Sequence, residues 1–258
     1  MLKKGKVWGR KLVAGIMMAA IVLGNTAVAT EASAKDAGKT VAVVQEDNYR
    51  KTLCKDFLGK SYGSVIDGIR CDCSGYTRAA LNRLESKGKT GTALKNVQVG
   101  TTSSRDWVSG STITYTTGVL EDDEIIWAKQ TTLSIGKKSS GASDLSDLEL
   151  GDVVVYGRGN STTHVAVYFG KFSSINDVKD YLEDVGLYDE GTLKKASGNK
   201  IQYKGKTVIR QYGSSSYWRI HSTNSGIMID NDIAGTSPYT SSFGSWKWTF
   251  SSGIDVIE

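Results

Sequence analysis

Two short apolar runs, separated by a polar turn, constrain the fold of this 258-residue chain more than any other feature. Residues 153–156 are β-branched and aromatic, residues 157–163 are polar and contain glycine, and residues 164–169 are again mostly apolar. This pattern predicts a β-hairpin, because such runs favour strands and the glycine-containing segment favours a turn. Side chains alternate along a strand, so His164 and Val165 are expected on opposite faces.

Three segments carry the four-residue apolar spacing of amphipathic helices. They are residues 48–58, 76–85 and 174–185. The third begins with Ser174, a residue type that caps helix N-termini, and Asp177 three positions later completes a capping pattern. Helices are therefore expected on both sides of the predicted hairpin in the chain.

Further apolar runs predict more strands, at residues 207–212, 217–221 and 227–229. In the C-terminal tail, alternating aromatic residues predict one face of another strand: Trp246, Trp248 and Phe250. This face either packs in a core or stacks on a sugar. Residues 90–147 are only weakly patterned. Helices and strands together indicate an α+β fold.

The first 34 residues have the organisation of a secretory signal peptide. A basic segment precedes the apolar residues 12–23, a stretch that is short for a membrane span. Small residues predict cleavage after Ala29 or Ala34, and a retained membrane anchor is the alternative. We therefore expect a protein secreted to the extracellular space or the cell wall, without stable membrane association, and a single domain over residues 35–258.

The basic charge of the chain belongs mostly to that N-terminal segment. Five of the 32 Lys and Arg residues and one of the 27 Asp and Glu residues lie in the first 34 positions, so the formal net charge falls from +5 to +1 without them. No basic stripe remains, which argues against nucleic acid as a partner, because phosphates need clustered Lys and Arg. We expect a monomer.

Three cysteines are an odd number, so at least one thiol has no partner within the chain. Cys73 lies at the start of the second predicted helix, where free N–H groups and the helix dipole favour the nucleophilic thiolate. The alternative is that Cys73 is a small core residue, as free cysteines usually are. Cys54 is either a core residue of the first helix or the disulfide partner of Cys71.

The chain has two histidines, His164 and His221, and both fall in predicted strands. A cysteine nucleophile needs a base within hydrogen-bond reach and a third group that orients the base. Cys73, His164 and His221 can fill these roles. Zinc binding is the alternative, but Cys71 and Cys73 lack the spacing of a zinc knuckle, so we predict no metal and no cofactor.

Five motifs, in this order, resemble the NlpC/P60 family of cell-wall cysteine peptidases. They are Tyr62, Asp72-Cys73-Ser74-Gly75 before a helix, residues 148–154, residues 164–170, and Ile220-His221-Ser222. The chain departs from the family at residues 63–65, Gly-Ser-Val in place of Trp-Gly-Gly, and in the long separation of its two histidines. We therefore expect insertions near residues 108–143 and 174–217.

The resemblance implies a papain-like NlpC/P60 fold, in which N-terminal helices, including the helix after the nucleophile, pack on an antiparallel sheet. Cys73 is then the nucleophile, His164 the general base and acid, and His221 the residue that orients His164. The implied activity is hydrolysis of amide bonds in peptidoglycan stem peptides, between D-Glu and the diamino acid.

The same resemblance implies a substrate pocket. Tyr62 lies beside the nucleophile in the family, and Asp72 either contacts a stem amine or only caps the helix. Ser103 and Ser104 are further candidates for this pocket. Two other functions are compatible with the motifs: an N-acetylmuramoyl-L-alanine amidase of the same wall-hydrolase type, and a non-catalytic secreted wall-binding protein.

Overall fold

The computed structural model describes most of the chain after the predicted signal peptide, which lies outside the described residues. The described residues are 42–84, 86–87, 92–99, 103–109, 112–121, 124–134, 137–139, 142–235, 237, 241–252 and 254–257. Both helices and sheets are present, so the chain has an α+β structure. Within these residues, no helix has the length and apolar character needed to cross a membrane.

Among the described residues, the α-helices are α1 (Glu46–Cys54), α2 (Cys73–Asn82), α3 (Asp106–Ser109) and α4 (Ile175–Asp184). The first ten strands are β1 (Ala42–Gln45), β2 (Val65–Ile66), β3 (Ile69–Arg70), β4 (Ser86–Lys87), β5 (Thr92–Val99), β6 (Thr112–Glu121), β7 (Glu124–Ser134), β8 (Lys137–Ser139), β9 (Asp152–Arg158) and β10 (Ser161–Lys171). The others are β11 (Lys194–Ala196), β12 (Lys200–Tyr203), β13 (Lys206–Arg210), β14 (Tyr217–Thr223), β15 (Gly226–Asp230), β16 (Ser245–Ser251) and β17 (Ile254–Ile257). Short 3₁₀ turns occupy Ala142–Asp147 and Ser241–Phe243.

In the part of the chain that the structure describes, the main sheet has nine strands, in the order β11-β12-β13-β15-β14-β10-β9-β16-β8. Neighbouring strands are antiparallel except β13 and β15, which are parallel. The predicted hairpin is confirmed as β9 and β10, which are adjacent and antiparallel. The strands predicted at residues 217–221 and 227–229 are confirmed as β14 and β15, and β14 lies directly beside β10.

The two faces of this sheet bury different clusters. On one face, Val165 and Val167 of β10 pack with apolar residues of α1 and α2. On the other face, Ala166 and Tyr168 pack with Tyr156 and with residues near the C-terminus. Side chains of neighbouring residues on β10 therefore pack in different clusters, as the alternation of side chains along a strand predicts.

Helices α1 and α2 bury the apolar positions that the sequence spacing identified. Tyr49 and Leu53 of α1 and Tyr76 and Ala80 of α2 are fully buried. The Tyr76 hydroxyl donates a hydrogen bond to the Leu53 carbonyl over 2.9 Å and so joins the two helices. This packing fixes α2 on the face of the sheet that carries Val165.

The two expected insertions contain regular structure. Between residues 174 and 217, α4 begins with the predicted Ser174–Asp177 capping box, and β11 to β13 extend the main sheet at one edge. Between residues 108 and 143, β6 and β7 complete a second, four-stranded sheet in the order β4-β5-β6-β7.

The prediction of a single aromatic face in the C-terminal strand is wrong. The register of β16 against β9 shifts between Trp246 and Trp248, which is a β-bulge. Because a bulge adds one residue, the side chains after it change faces. Trp246 packs with Tyr156, whereas Phe250 packs in the cluster of α1 and α2.

Candidate active site

The N-terminus of α2 places Cys73 at the first helical position. Asp72 is the N-cap residue, and its carboxylate accepts hydrogen bonds from the Gly75 N–H at 2.8 Å and the Ser74 hydroxyl at 2.9 Å. Asp72 therefore caps the helix, one of the two roles that the sequence left open. Contact of Asp72 with a substrate amine stays a prediction.

Gly75 allows β3 to approach the first turn of this helix. A Cβ atom at position 75 would lie 1.8 Å from the carbonyl oxygen of Arg70, far inside van der Waals contact. The glycine of the Asp-Cys-Ser-Gly motif is thus required by packing, because only a residue without a side chain fits there.

The segment before α2 is held at Cys71 by backbone and side-chain bonds. The Cys71 N–H donates to the Ser64 carbonyl at 2.8 Å, and the Cys71 carbonyl accepts from the Gly63 N–H at 3.0 Å. The same carbonyl accepts a hydrogen bond from the buried Ser222 hydroxyl of β14 at 2.8 Å. The position of Cys73 is therefore coupled to the strand that carries His221.

The Cys73 thiol is partly buried and lies against the backbone N–H of Val165, the residue after His164. Burial raises the pKa of this thiol, and the N–H groups of Val165, Ser74 and Cys73 lower it by less. The expectation that the helix N-terminus would favour a thiolate is therefore wrong for the resting protein. The N–H donors are present, but removal from water outweighs them.

The two histidines are joined directly. His164 Nε2 lies 2.8 Å from His221 Nδ1, and both rings are buried. His221 Nε2 in turn lies 2.9 Å from Asp230 Oδ2. The Asp230 carboxylate also accepts a hydrogen bond from Arg219 Nε at 2.8 Å. A continuous chain of four buried side chains therefore runs from His164 to Arg219.

Aromatic rings enclose His164. The Phe243 ring stacks on the imidazole, with the centroids 3.9 Å apart and the planes at 10°. Tyr156 contacts it at 5.7 Å, and the Thr163 hydroxyl donates to the Phe243 carbonyl. Burial lowers the pKa of His164 well below its usual value, and the neighbouring His221 and Arg219 charges lower it further. The ring is therefore neutral near pH 7.

The Cys73 thiol and the His164–His221 pair both border one stretch of β10, a gap in its pairing with β14. Strand β10 pairs with β14 from Val167 and Ile220 onward, and within the described residues this pairing does not extend to His164. The Cys73 thiol lies at Val165, on the unpaired stretch of β10, and the His164–His221 bond spans the same stretch. The described residues include no hydrogen bond between the thiol and either imidazole.

The structure also describes the other site residues predicted from the sequence, Tyr62, Ser103 and Ser104. Partial burial raises the pKa of the Tyr62 hydroxyl, and the nearby Cys73 and Asp72 raise it further. The Tyr62 side chain is 42% exposed. Ser104 donates a hydrogen bond to the Thr162 hydroxyl of β10 at 3.1 Å. Ser103 is its partly exposed neighbour.

All three cysteines are free thiols, so Cys54 and Cys71 form no disulfide. Cys54 is buried in the cluster of α1 and α2, which agrees with the core alternative. Cys71 is also buried, and its thiol points to the Ile69 carbonyl at 3.6 Å. Burial raises the pKa of Cys71 to about 11.

Sequence reasoning missed three residues of this site. Asp230 and Arg219 are opposite each other on β15 and β14, a pairing that only the sheet register reveals. Phe243 follows a stretch without strand or helix periodicity, and no local signal places it on His164. The available hint was a charged residue inside one predicted apolar strand and another directly after the next, since buried charges are usually paired.

The chain matches no protein-family model, and the searches of curated proteins and of solved structures found nothing similar to it. Over the part of the chain that the structure describes, no group of three His, Cys, Asp or Glu side chains is arranged to hold a metal ion.

Proposed function

We propose that this protein is a secreted cysteine peptidase that hydrolyses amide bonds in peptidoglycan stem peptides. The observation that carries the proposal is that the Cys73 thiol lies against the N–H of Val165, the residue after His164, and that His164 is hydrogen-bonded to His221. A nucleophile at a helix N-terminus, a base and an orienting group are the three parts that thiol hydrolysis needs.

In this mechanism the resting site holds a neutral thiol and a neutral imidazole. Substrate displaces water at the gap, and His164 takes the thiol proton as the sulfur attacks the amide carbonyl. The imidazolium then gives the proton to the leaving amine, and water hydrolyses the thioester with His164 as the base. Catalytic hydrogen bonds are often long without substrate, so the absence of a thiol–imidazole bond at rest is compatible with this sequence of steps.

The first turn of α2 supplies donors for the developing oxyanion. The N–H groups of Cys73 and Ser74 already point toward the sulfur, where they lower its pKa. Backbone donors held in place before the reaction stabilise a tetrahedral oxyanion without reorganisation. Asp72 keeps this turn in place by capping it.

The substrate class rests on the motifs that resemble the NlpC/P60 family, which also favour a papain-like fold for the chain. Tyr62 is a substrate-contacting candidate close to Cys73, and Asp72, the residue before Cys73, is the candidate carboxylate for a stem amine. Ser104 is hydrogen-bonded to Thr162 of β10, where it and its neighbour Ser103 are the further candidates for contact with a bound peptide.

Digestion of purified sacculi, followed by mass spectrometry of the released fragments, tests the proposal. A D-Glu to diamino acid endopeptidase releases fragments with a new amine on the diamino acid, whereas an amidase releases stem peptides with L-Ala at the N-terminus. His164→Ala is expected to release neither, and Cys54→Ala, a core substitution in α1, is expected to keep the wild-type pattern. Binding to sacculi without any fragment would support the non-catalytic alternative.

A further inference from the structure

The hydrogen-bonded chain behind His164 ends on a carboxylate that the cysteine–histidine motifs do not include. Asp230 is the last residue of β15 and lies opposite Arg219 in the sheet register. Its Oδ2 is 2.9 Å from His221 Nε2, and its Oδ1 is 2.8 Å from Arg219 Nε. The Asp230, Arg219 and His221 side chains are at most 1% exposed, so no solvent competes for these contacts.

Two contacts in this series of hydrogen-bonded side chains restrict which ring nitrogens of His164 and His221 can carry a proton. A neutral imidazole has one N–H donor and one bare nitrogen, which is an acceptor. Burial lowers the pKa of both histidines, so each ring carries one proton near pH 7. Burial favours protonated Asp230, but the Arg219 charge and the His221 and Arg219 hydrogen bonds hold its pKa below the usual range. An ionised carboxylate only accepts hydrogen bonds.

The proton positions follow in order from Asp230. Because the carboxylate cannot donate, His221 must donate from Nε2, which leaves its Nδ1 bare. Bare Nδ1 can only accept, so His164 must donate from Nε2 across the 2.8 Å contact. The remaining nitrogen of His164, Nδ1, is then the bare one. The opposite arrangement would place two acceptors 2.9 Å apart at Asp230, which is unfavourable in a buried site.

We propose that Asp230 is a positioning residue that acts through His221 to hold the His164 proton on Nε2 and to leave Nδ1 as the basic nitrogen. Asp230 touches no reacting atom in this scheme. The use of Nδ1 as the base for Cys73 rests on the proposed function, whereas the two ring tautomers follow from the buried contacts, the ionised Asp230 and the neutral rings.

Arg219 fixes which oxygen of Asp230 faces the histidine. Its Nε donates to Oδ1, and Nη2 lies at the longer distance of 3.4 Å from Oδ2. The guanidinium also lies 4.8 Å from the Tyr156 ring centroid, against the aromatic wall of His164. The carboxylate therefore cannot rotate freely, and Oδ2 stays directed at His221.

Nitrogen NMR on histidine-labelled protein tests the proposal directly, because the chain has only two histidines. Long-range proton–nitrogen correlations report whether Nδ1 or Nε2 carries the proton in each ring. We expect the Nε2–H form for both His164 and His221 in the wild-type protein at pH 7. A proton on Nδ1 of His164 would overturn the proposal, and this measurement needs no variant.

Asp230→Asn gives a second test with a specific direction. Arg219 Nε donates to the position of Oδ1, so the amide oxygen is held there and the amide N–H group faces His221 Nε2. That nitrogen must then be bare, which moves the proton of each ring to Nδ1 and removes the basic nitrogen from His164. Unchanged tautomers in a folded Asp230→Asn protein would contradict the proposal.

Asp67→Asn is the matched control, because Asp67 is also a carboxylate bound to an arginine, Arg83, but it is on the exposed β2–β3 turn. It should leave both tautomers and any hydrolysis unchanged. On stem peptides, Asp230→Asn is expected to lower kcat at least 100-fold with little change in KM. If the wild-type protein shows the expected tautomers but hydrolyses no stem peptide, the proposed function is rejected. The positioning role of Asp230 would still stand in that case.

Discussion

Ser222 donates a hydrogen bond to the carbonyl oxygen of Cys71 at 2.8 Å, and this bond links positions 151 residues apart. Ser222 follows His221 on β14, and Cys71 precedes Cys73 by two residues. A buried hydrogen bond therefore joins the strand of His221 to the loop that precedes Cys73. A second link joins Cys73 to β10. The N–H of Val165, the residue after His164, lies against the Cys73 thiol.

Ser222→Ala is expected to weaken both stability and catalysis. The lost hydrogen bond lowers the free energy of unfolding by about 0.5–1.5 kcal/mol, measured by urea denaturation. The loop can then move against β14, so kcat on a stem peptide should fall about tenfold or more, since small misplacements of a nucleophile are costly. Ser174→Ala removes the N-cap of α4 at a similar stability cost of about 1 kcal/mol and should leave kcat unchanged. Equal kcat values for both variants would contradict the link.

The stability of the protein should fall as the pH is lowered from about 7 to 5. Burial lowers the pKa of His164 and His221 in the folded protein, whereas both titrate near about 6.5 when unfolded. The unfolded chain then binds more protons below that pH, and each histidine can remove up to about 1.4 kcal/mol per pH unit. Urea unfolding at pH 7 and at pH 5.5 measures this difference.

The double variant His164→Gln/His221→Gln is the control for this pH dependence. With no histidine left in the chain, its free energy of unfolding should change much less between the two pH values. A wild-type protein that is as stable at pH 5.5 as at pH 7 would contradict the burial of neutral imidazoles.

Alkylation of the folded protein by iodoacetamide should modify Cys73 before the other thiols. Cys73 is partly buried, whereas Cys54 and Cys71 are buried. The Cys71 pKa of about 11 leaves about 100-fold less thiolate near neutral pH than its usual value of 9 would. Because burial also raises the Cys73 pKa, its rate should increase with pH. Peptide mapping that finds Cys54 or Cys71 modified first would show that the accessibility assigned to Cys73 is wrong.

Local patterns in the sequence were sufficient for several elements of the fold. The β9–β10 hairpin, α2 and the Ser174–Asp177 capping box depend on neighbouring residues, so periodicity and capping chemistry predict them. The bulge in β16 depends on pairing with β9, and no local signal separates Trp246 from Trp248. The sheet of β4 to β7 was missed because its strands lack clear alternation.

The residues of the candidate site also fall into two groups, those that the sequence predicted and those that depend on strand pairing. Cys73, His164 and His221 were identified because the chain offers few residues of these types, and the structure joins the two histidines. Asp230 and Arg219 were missed because acidic and basic residues are common and their pairing arises from the register of β14 and β15. The helix dipole led to the wrong direction for the Cys73 pKa, since the burial of the thiol depends on tertiary packing.

Hydrolysis of a soluble stem peptide by wild-type protein and by Cys73→Ala tests the central claim most directly. The thiol is the proposed nucleophile, so the variant should show no turnover above background, while Cys54→Ala retains the wild-type kcat/KM. Circular dichroism confirms that each variant is folded. Turnover by Cys73→Ala at a rate near that of the wild-type protein would contradict the account.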